Sequence, residues 1–176
     1  MDMTPEFALG LRDSYCQQLE QEQKTFLNVV KAMPDDKLDF KPESRLMGFA
    51  ELARHTAGTG AFFVNLIQEG ETAMNDDPKA APPPATSATA LAAELEPLLK
   101  STLGAFREAT PEQLTRMSDF FGMGENAGVT YINWDLVHLI HHRAQMGLYV
   151  RIAGAKVPSI YGPTLDQTFD DMMAGS

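Results

Sequence analysis

The sequence predicts an all-α domain: a four-helix bundle with a long crossover connection and short additional helices. Three observations carry this. Four long stretches place apolar residues at helical spacing. Alternating strand patterns are almost absent. Residues 75–85 hold four prolines and several alanines, a linker without folding power of its own and of the kind some bundles use as a crossover. The 176 residues fit one domain, 1–176, and are enough to bury a real core.

The first helical pattern runs from about Thr4 to Met33. Thr4 suits the cap and Pro5 the first turn, while Leu11, Tyr15, Leu19, Phe26, Val29, Val30 and Met33 recur at helical spacing. Pro34-Asp35-Asp36 stops it, and Asp39-Phe40-Lys41-Pro42 reads as a loop. The second helix runs from about Leu46 to Glu69, with Leu52, His55, Thr59, Phe62 and Leu66 in one stripe and Gly70 as its stop. The third runs from about Ser87 to Arg107 and contains Pro97, where a kink or break is expected. Thr110-Pro111-Glu112-Gln113 carries the signature of a new helix start, and residues 120–128, with three glycines, read as a loop. The fourth long helix spans about Thr130 to Ala153, and a short final helix is expected from about Thr164 to Met173.

Composition excludes several functional classes. A net charge of −10, from 24 acidic and 14 basic residues, argues against a nucleic-acid surface, which needs a basic stripe. Asp35-Asp36 and Asp170-Asp171 read as solvated clusters. No run approaches the roughly 20 apolar residues of a membrane span. The first residues lack the basic and apolar regions of a signal peptide, so a cytoplasmic location is expected. Cys16 is the only cysteine. It forms no internal disulfide, and its helical setting favours a half-buried structural residue over a nucleophile.

The histidines are the most informative residues. There are four: His55, His138, His141 and His142. At about 100° per residue, His138 and His142 share one face of the fourth helix and can converge on one ion. His141 lies about 100° from His142 and does not easily share that ion. Two imidazoles do not close a site. His55, in the apolar stripe of the second helix, is the candidate third ligand, read as pointing into the bundle and needing a partner for its ring. A lone histidine on an apolar face is ordinarily a satisfied core residue, and one HxxxH pair is a weak signal. The case rests on every histidine falling either on helix four's cluster or on this single stripe.

Three imidazoles would leave a coordination position for water or substrate, as in catalytic zinc sites. Zinc and nickel lead, and iron and copper also suit imidazole. The same face of helix four carries Tyr131, Trp134, Asp135, Gln145, Tyr149 and Ile152. Among these, Asp135, Gln145 and Tyr149 are the catalytic candidates. Asp135 is placed to orient a ligand ring, Gln145 to contact a metal-bound water or substrate, and Tyr149 to line the pocket or donate a hydrogen bond. Trp134 fits the core better.

The string His138-Leu139-Ile140-His141-His142-Arg143-Ala144-Gln145, with Tyr149-Val150-Arg151-Ile152-Ala153-Gly154 and Pro158, resembles the signature of the DinB-like family, the DinB/YfiT-like metalloenzymes. Ala144 stands where that family usually has glycine. Leu38-Asp39-Phe40-Lys41-Pro42, Phe49-Ala50-Glu51-Leu52-Ala53-Arg54-His55 and Tyr161-Gly162-Pro163 extend the resemblance over most of the chain. The resemblance implies a four-helix bundle with a long crossover, often dimeric, and a metal held by His55, His138 and His142. Family members with assigned chemistry include thiol-dependent transferases and an isomerase that uses a low-molecular-weight thiol.

The expected function is therefore a metal-dependent enzyme that activates water or a thiol towards a small electrophilic substrate, as a hydrolase or thiol S-transferase. The alternative is a non-catalytic, stress-related metal-binding or interaction scaffold. A DNA-binding role, which the family name suggests, is disfavoured by the charge. The expected partners are a small-molecule substrate, such as a low-molecular-weight thiol, and a second copy of the chain, with no nucleic acid and no membrane.

Overall fold

The computed structural model describes residues 3–71 and 82–174. Thr4 caps α1 (Pro5–Lys31) by accepting from the Phe7 amide at 3.3 Å, and Pro5 occupies the first turn, where its missing N–H costs nothing. A 3-10 turn follows at Asp35–Lys37. The second helix, α2 (Phe49–Glu69), starts three residues later than the sequence pattern suggests. Its first amides are taken by the preceding loop instead. Phe49 N donates to Phe40 O and Ala50 N to Leu38 O at 3.1 and 2.8 Å, while Glu51 accepts from Gly48 N at 3.2 Å.

The third helix, α3 (Ala88–Glu108), runs unbroken through Pro97, so of the expected kink or break there is no break. Pro97 and Ala93, whose carbonyl loses its partner to the proline, both lie on the exposed side, where water replaces the lost bond. Asp35, read as merely solvated, accepts from the Ala88 amide at 2.7 Å and so fixes the start of α3. Thr110 caps α4 (Pro111–Thr115) with Gln113 reciprocating, as its signature indicated.

Residues 120–128 are not all loop. Strands β1 (Met117–Asp119) and β2 (Glu125–Ala127) pair antiparallel, with Ser118 opposite Asn126. Three residues per strand are too few to show alternation. The last long helix, α5 (Gly128–Ile152), begins at Gly128, where a β-carbon would lie 2.2 Å from the Gln113 carbonyl oxygen. The final helix, α6 (Phe169–Ala174), is shorter than expected. Thr164 and Asp166 bond to the 157–167 segment instead, with Asp166 pairing with Arg151 at 2.7 Å.

The long helices touch around a ring in the order α1, α5, α2, α3. Their directions follow from their contacts. Arg12 reaches Ala109 O and Gln23 reaches Leu99 O, so α1 and α3 are antiparallel. Arg54 pairs with Glu94, and Gly60 meets Thr102, so α2 and α3 are parallel neighbours. Parallel neighbours require the chain to return the length of a helix, which for the 21 residues of α2 is about 31 Å. The connection from Gly70 to Ser87 makes that crossover. Residues 72–81 of the proline-rich linker lie outside the described residues. The core draws on all four long helices, with Phe26, Phe49, Leu66, Leu95, Phe106, Tyr131 and Ile132 fully buried. Among the described residues no helix is long and apolar enough to cross a membrane. Cys16 is more buried than expected, and burial pushes its thiol up to about 11, which makes it a poor nucleophile.

One buried ion pair ties the ends of the chain together. Arg143 on α5 and Glu22 on α1 lie 3.1 Å apart, both almost inaccessible. Tyr161 bridges them. Its hydroxyl accepts from Arg143 at 2.6 Å and donates to Glu22 at 2.7 Å, while the guanidinium sits over its ring. Glu22→Ala should strand a buried guanidinium and cost about 3–5 kcal/mol. The double variant Glu22→Leu/Arg143→Met should recover most of that loss, as measured by urea unfolding.

Candidate metal centre

The site lies on the seam between α2 and α5, which run antiparallel. The Tyr149 hydroxyl meets the Met47 carbonyl at 3.4 Å at one end, and Phe63 stacks on Tyr131 at the other. His55 falls midway, opposite His138 and His142. Gly60, on the buried side of α2, lets the helices approach closely, while Ala57 faces α3. A β-carbon on Gly60 would come within 2.9 Å of Thr102 Oγ1 and 3.2 Å of Asp135 Oδ1, so three helices converge at that point.

His55, His138 and His142 each offer a ring nitrogen within 4.8 Å of the other two. The Nε2 atoms of His138 and His55 are 3.2 Å apart, and the three ring centroids are separated by 4.4 to 5.1 Å. Two imidazole nitrogens bound to one tetrahedral ion at about 2.0–2.1 Å would lie about 3.3 Å apart. The spacing and donor types of these residues therefore fit a divalent transition metal.

His55 does not point into the core as expected. It is exposed, while Thr56 and Ala57 beside it are buried. The α2 stripe turns its inner edge to α3 and α5 and leaves His55 on the rim, reached from solvent. His138 and His142 are half-buried. Burial, reinforced by the neighbouring imidazoles His142, His55 and His141, depresses the His138 ring to about 4. His142 is also held below its ordinary value, chiefly by burial. Both rings are neutral near pH 7 and keep a lone pair for a cation.

Gln145 organises the other side of the cluster. The His142 Nδ1–H donates to Gln145 Oε1 at 2.8 Å, which leaves His142 Nε2 as the free donor atom. The Gln145 amide then donates to His141 Nε2 at 3.0 Å. His141 thus stands outside the three-histidine group but is tied to it through one side chain. The spacings 141–145 and 142–145 are ordinary helix neighbours, so this tie was available to sequence reasoning.

The other candidates lie elsewhere. Asp135 makes no hydrogen bond to the His138 ring, whose Nδ1 is buried without a partner. Its carboxylate faces Gly60 and Thr102, and burial pushes it up to about 7. Tyr149 packs edge-on against Phe40 and holds the loop before α2. Trp134 joins an aromatic cluster with Phe120 and Tyr131. Sequence reasoning missed the hairpin's part in that cluster: Phe121, with φ +53°, stacks on Phe62 at 5.7 Å. It also missed the pairing of Glu22 with Arg143, because the two are far apart in sequence.

The model of the DinB superfamily matches residues 18–146. The chain belongs to the DinB superfamily. Two solved structures share its fold. A DinB-like protein from Bacillus subtilis, YjoA, has a TM-score of 0.69 at 22% identity, over 84% of this chain and 97% of its own. A DinB-like protein from Bacillus cereus has a TM-score of 0.65 at 25% identity, over 85% of this chain and 97% of its own. No curated protein matches the chain. This DinB protein therefore keeps the bundle of its relatives and places three histidines together on one seam of it.

The raised Asp135 carboxyl gives a signed pH dependence. The folded protein retains a proton up to about pH 7 that the unfolded chain releases near 3.8, so this group lowers stability as pH rises through that window. Asp135→Asn should remove the effect. In chelator, its melting temperature relative to the parent should be higher at pH 8 than at pH 5.

Proposed function

We propose that this DinB protein is a metal-dependent enzyme in which His55, His138 and His142 hold a divalent transition metal, with zinc or nickel foremost and iron as the next candidate. The observation that carries this reading is the convergence of the three ring nitrogens within 4.8 Å. When bound, the ion would supply a Lewis acid that lowers the pKa of a water or thiol in its remaining position.

The chain's own residues supply the rest. Burial keeps His138 and His142 neutral and able to coordinate. Gln145 fixes the tautomer of His142 and orients its ring, and His141 in turn accepts from Gln145. The exposure of His55 leaves the cluster open to a solute on the rim. An open three-histidine arrangement favours activation of water or a thiol towards a small electrophilic substrate, that is, a hydrolase or thiol S-transferase reaction. Gln145 acts here as a positioning residue, and Asp135 is buried where α5 meets α2 and α3. The family resemblance extends the reading to a cytoplasmic homodimer that uses a low-molecular-weight thiol.

Isothermal titration of chelator-treated protein with zinc and with nickel tests the reading. One ion per chain is expected. Alanine at His55, His138 or His142 should weaken binding by more than the about 10- to 100-fold that a supporting residue contributes, and Gln145→Ala should fall within that range. His141→Ala should retain one ion per chain. A parent protein that binds neither metal, and whose melting temperature neither metal raises, would leave only a scaffold role.

A further inference from the structure

Next to the histidine cluster, α5 and the loop before α2 enclose a recess of about 240 Å³, walled by Pro42, Leu46, Gln145, Leu148, Tyr149 and Ile152. None of these six side chains is charged. Leu46, Leu148 and Ile152 are 43, 57 and 61% exposed, so the recess presents aliphatic surface that the described residues do not cover. Its floor is fixed, since Tyr149 is pinned to the Met47 carbonyl and packs against Phe40. The recess also shares a wall with the cluster. Gln145, which lines it, holds His142 and His141 with the same amide group.

These features describe one half of a binding site. The polar half is the three-histidine cluster. The apolar half begins at the far side of Gln145. A dry cavity of about 150 Å³ is enough for a benzene ring, so this recess holds a six-membered ring or an aliphatic chain of about six to eight carbons. The absence of any charged wall selects against an ionised group in that position, because no partner would repay its desolvation.

We propose that this recess is the specificity pocket of the enzyme, and that it receives an uncharged aryl or medium-length alkyl group on the substrate whose reacting end lies at the histidine cluster. The proposal rests on the metal reading for the position of the reacting end alone. Leu148 and Ile152 act as specificity-determining residues. Gln145 divides the apolar pocket from the cluster and keeps the two at a fixed spacing.

A chain-length series of hydroxamates tests this, because the hydroxamate head binds a metal and the tail reports the recess. Zinc affinity is measured first by titration, and zinc-loaded protein is then titrated with acetohydroxamate, butanohydroxamate, hexanohydroxamate, decanohydroxamate and benzohydroxamate. Affinity should rise about fourfold per methylene through hexanohydroxamate and level off by decanohydroxamate, whose tail exceeds the about six to eight carbons the recess holds. In Leu148→Asp and Ile152→Asp, both exposed and so tolerant of a polar residue, zinc affinity should be unchanged and the dependence on chain length should flatten.

If zinc binds but affinity is independent of chain length, or the slope is the same in the variants, the recess is not the substrate pocket. If zinc does not bind, the metal reading fails by itself. The recess is then probed in metal-free protein with the neutral fluorophore N-phenyl-1-naphthylamine, which 1-hexanol should displace. Equal binding by the parent and Ile152→Asp overturns the proposal. It is also overturned if light scattering shows that Ile152→Asp converts a dimer to a monomer while the parent shows no chain-length dependence, since the recess is then covered by a second copy.

Discussion

The close antiparallel approach of α2 and α5 is the constraint on which the site depends. Two histidines one turn apart on α5 are a local property of the sequence, but the third ligand position exists only because α2 presents His55 to them across the seam. That approach depends on a position without a side chain. Gly60 lies on the buried side of α2, and there is no room there for a methyl group between Thr102 and Asp135. A displacement of one ångström at this contact would move His55 out of register with a cluster whose nitrogens are 3.2 Å apart at their nearest. The helix packing and the candidate chemistry are therefore one property.

The fold supports this seam with polar groups placed at a cost. Asp135 is buried where α2, α3 and α5 meet, and its carboxyl is driven up to about 7 by that burial. The pair Glu22–Arg143, bridged by Tyr161, is sealed between α1, α5 and the C-terminal loop. Arg143 follows His142 directly in the chain, so the contact that anchors α5 to α1 also fixes the rotation of α5 that turns His138 and His142 towards α2. Tyr149 performs the same task from the other end by holding the loop before α2. Each of these groups acts on the orientation of a helix, and none of them touches the cluster itself.

The long helices were legible because their apolar residues recur with a 3.6-residue period and their ends carry recognisable caps, as at Thr4 and Gly70. The pairing of His138 with His142 was legible for the same reason. What a period cannot show is which edge of a stripe faces solvent. His55 shares a face with Leu52 and Leu66, yet it lies on the rim while they are buried. The three-residue strands were too short to register, and Pro97 was read as a kink or a break although its exposed position lets the helix continue unbroken. The partners of Asp135 and Arg143 come from distant parts of the chain and leave no local signal. The tie from Gln145 to His141 and His142 was within reach, since it uses ordinary helical spacing.

X-ray absorption spectroscopy of the zinc-loaded protein decides whether the three histidines share one ion, because it counts imidazoles at the metal. Three imidazole nitrogens at about 2.0–2.1 Å with one further light atom from solvent are expected, falling to two imidazoles in His55→Ala. Fewer than three imidazoles in the parent protein, or a spectrum unchanged by His55→Ala, would contradict a shared ion.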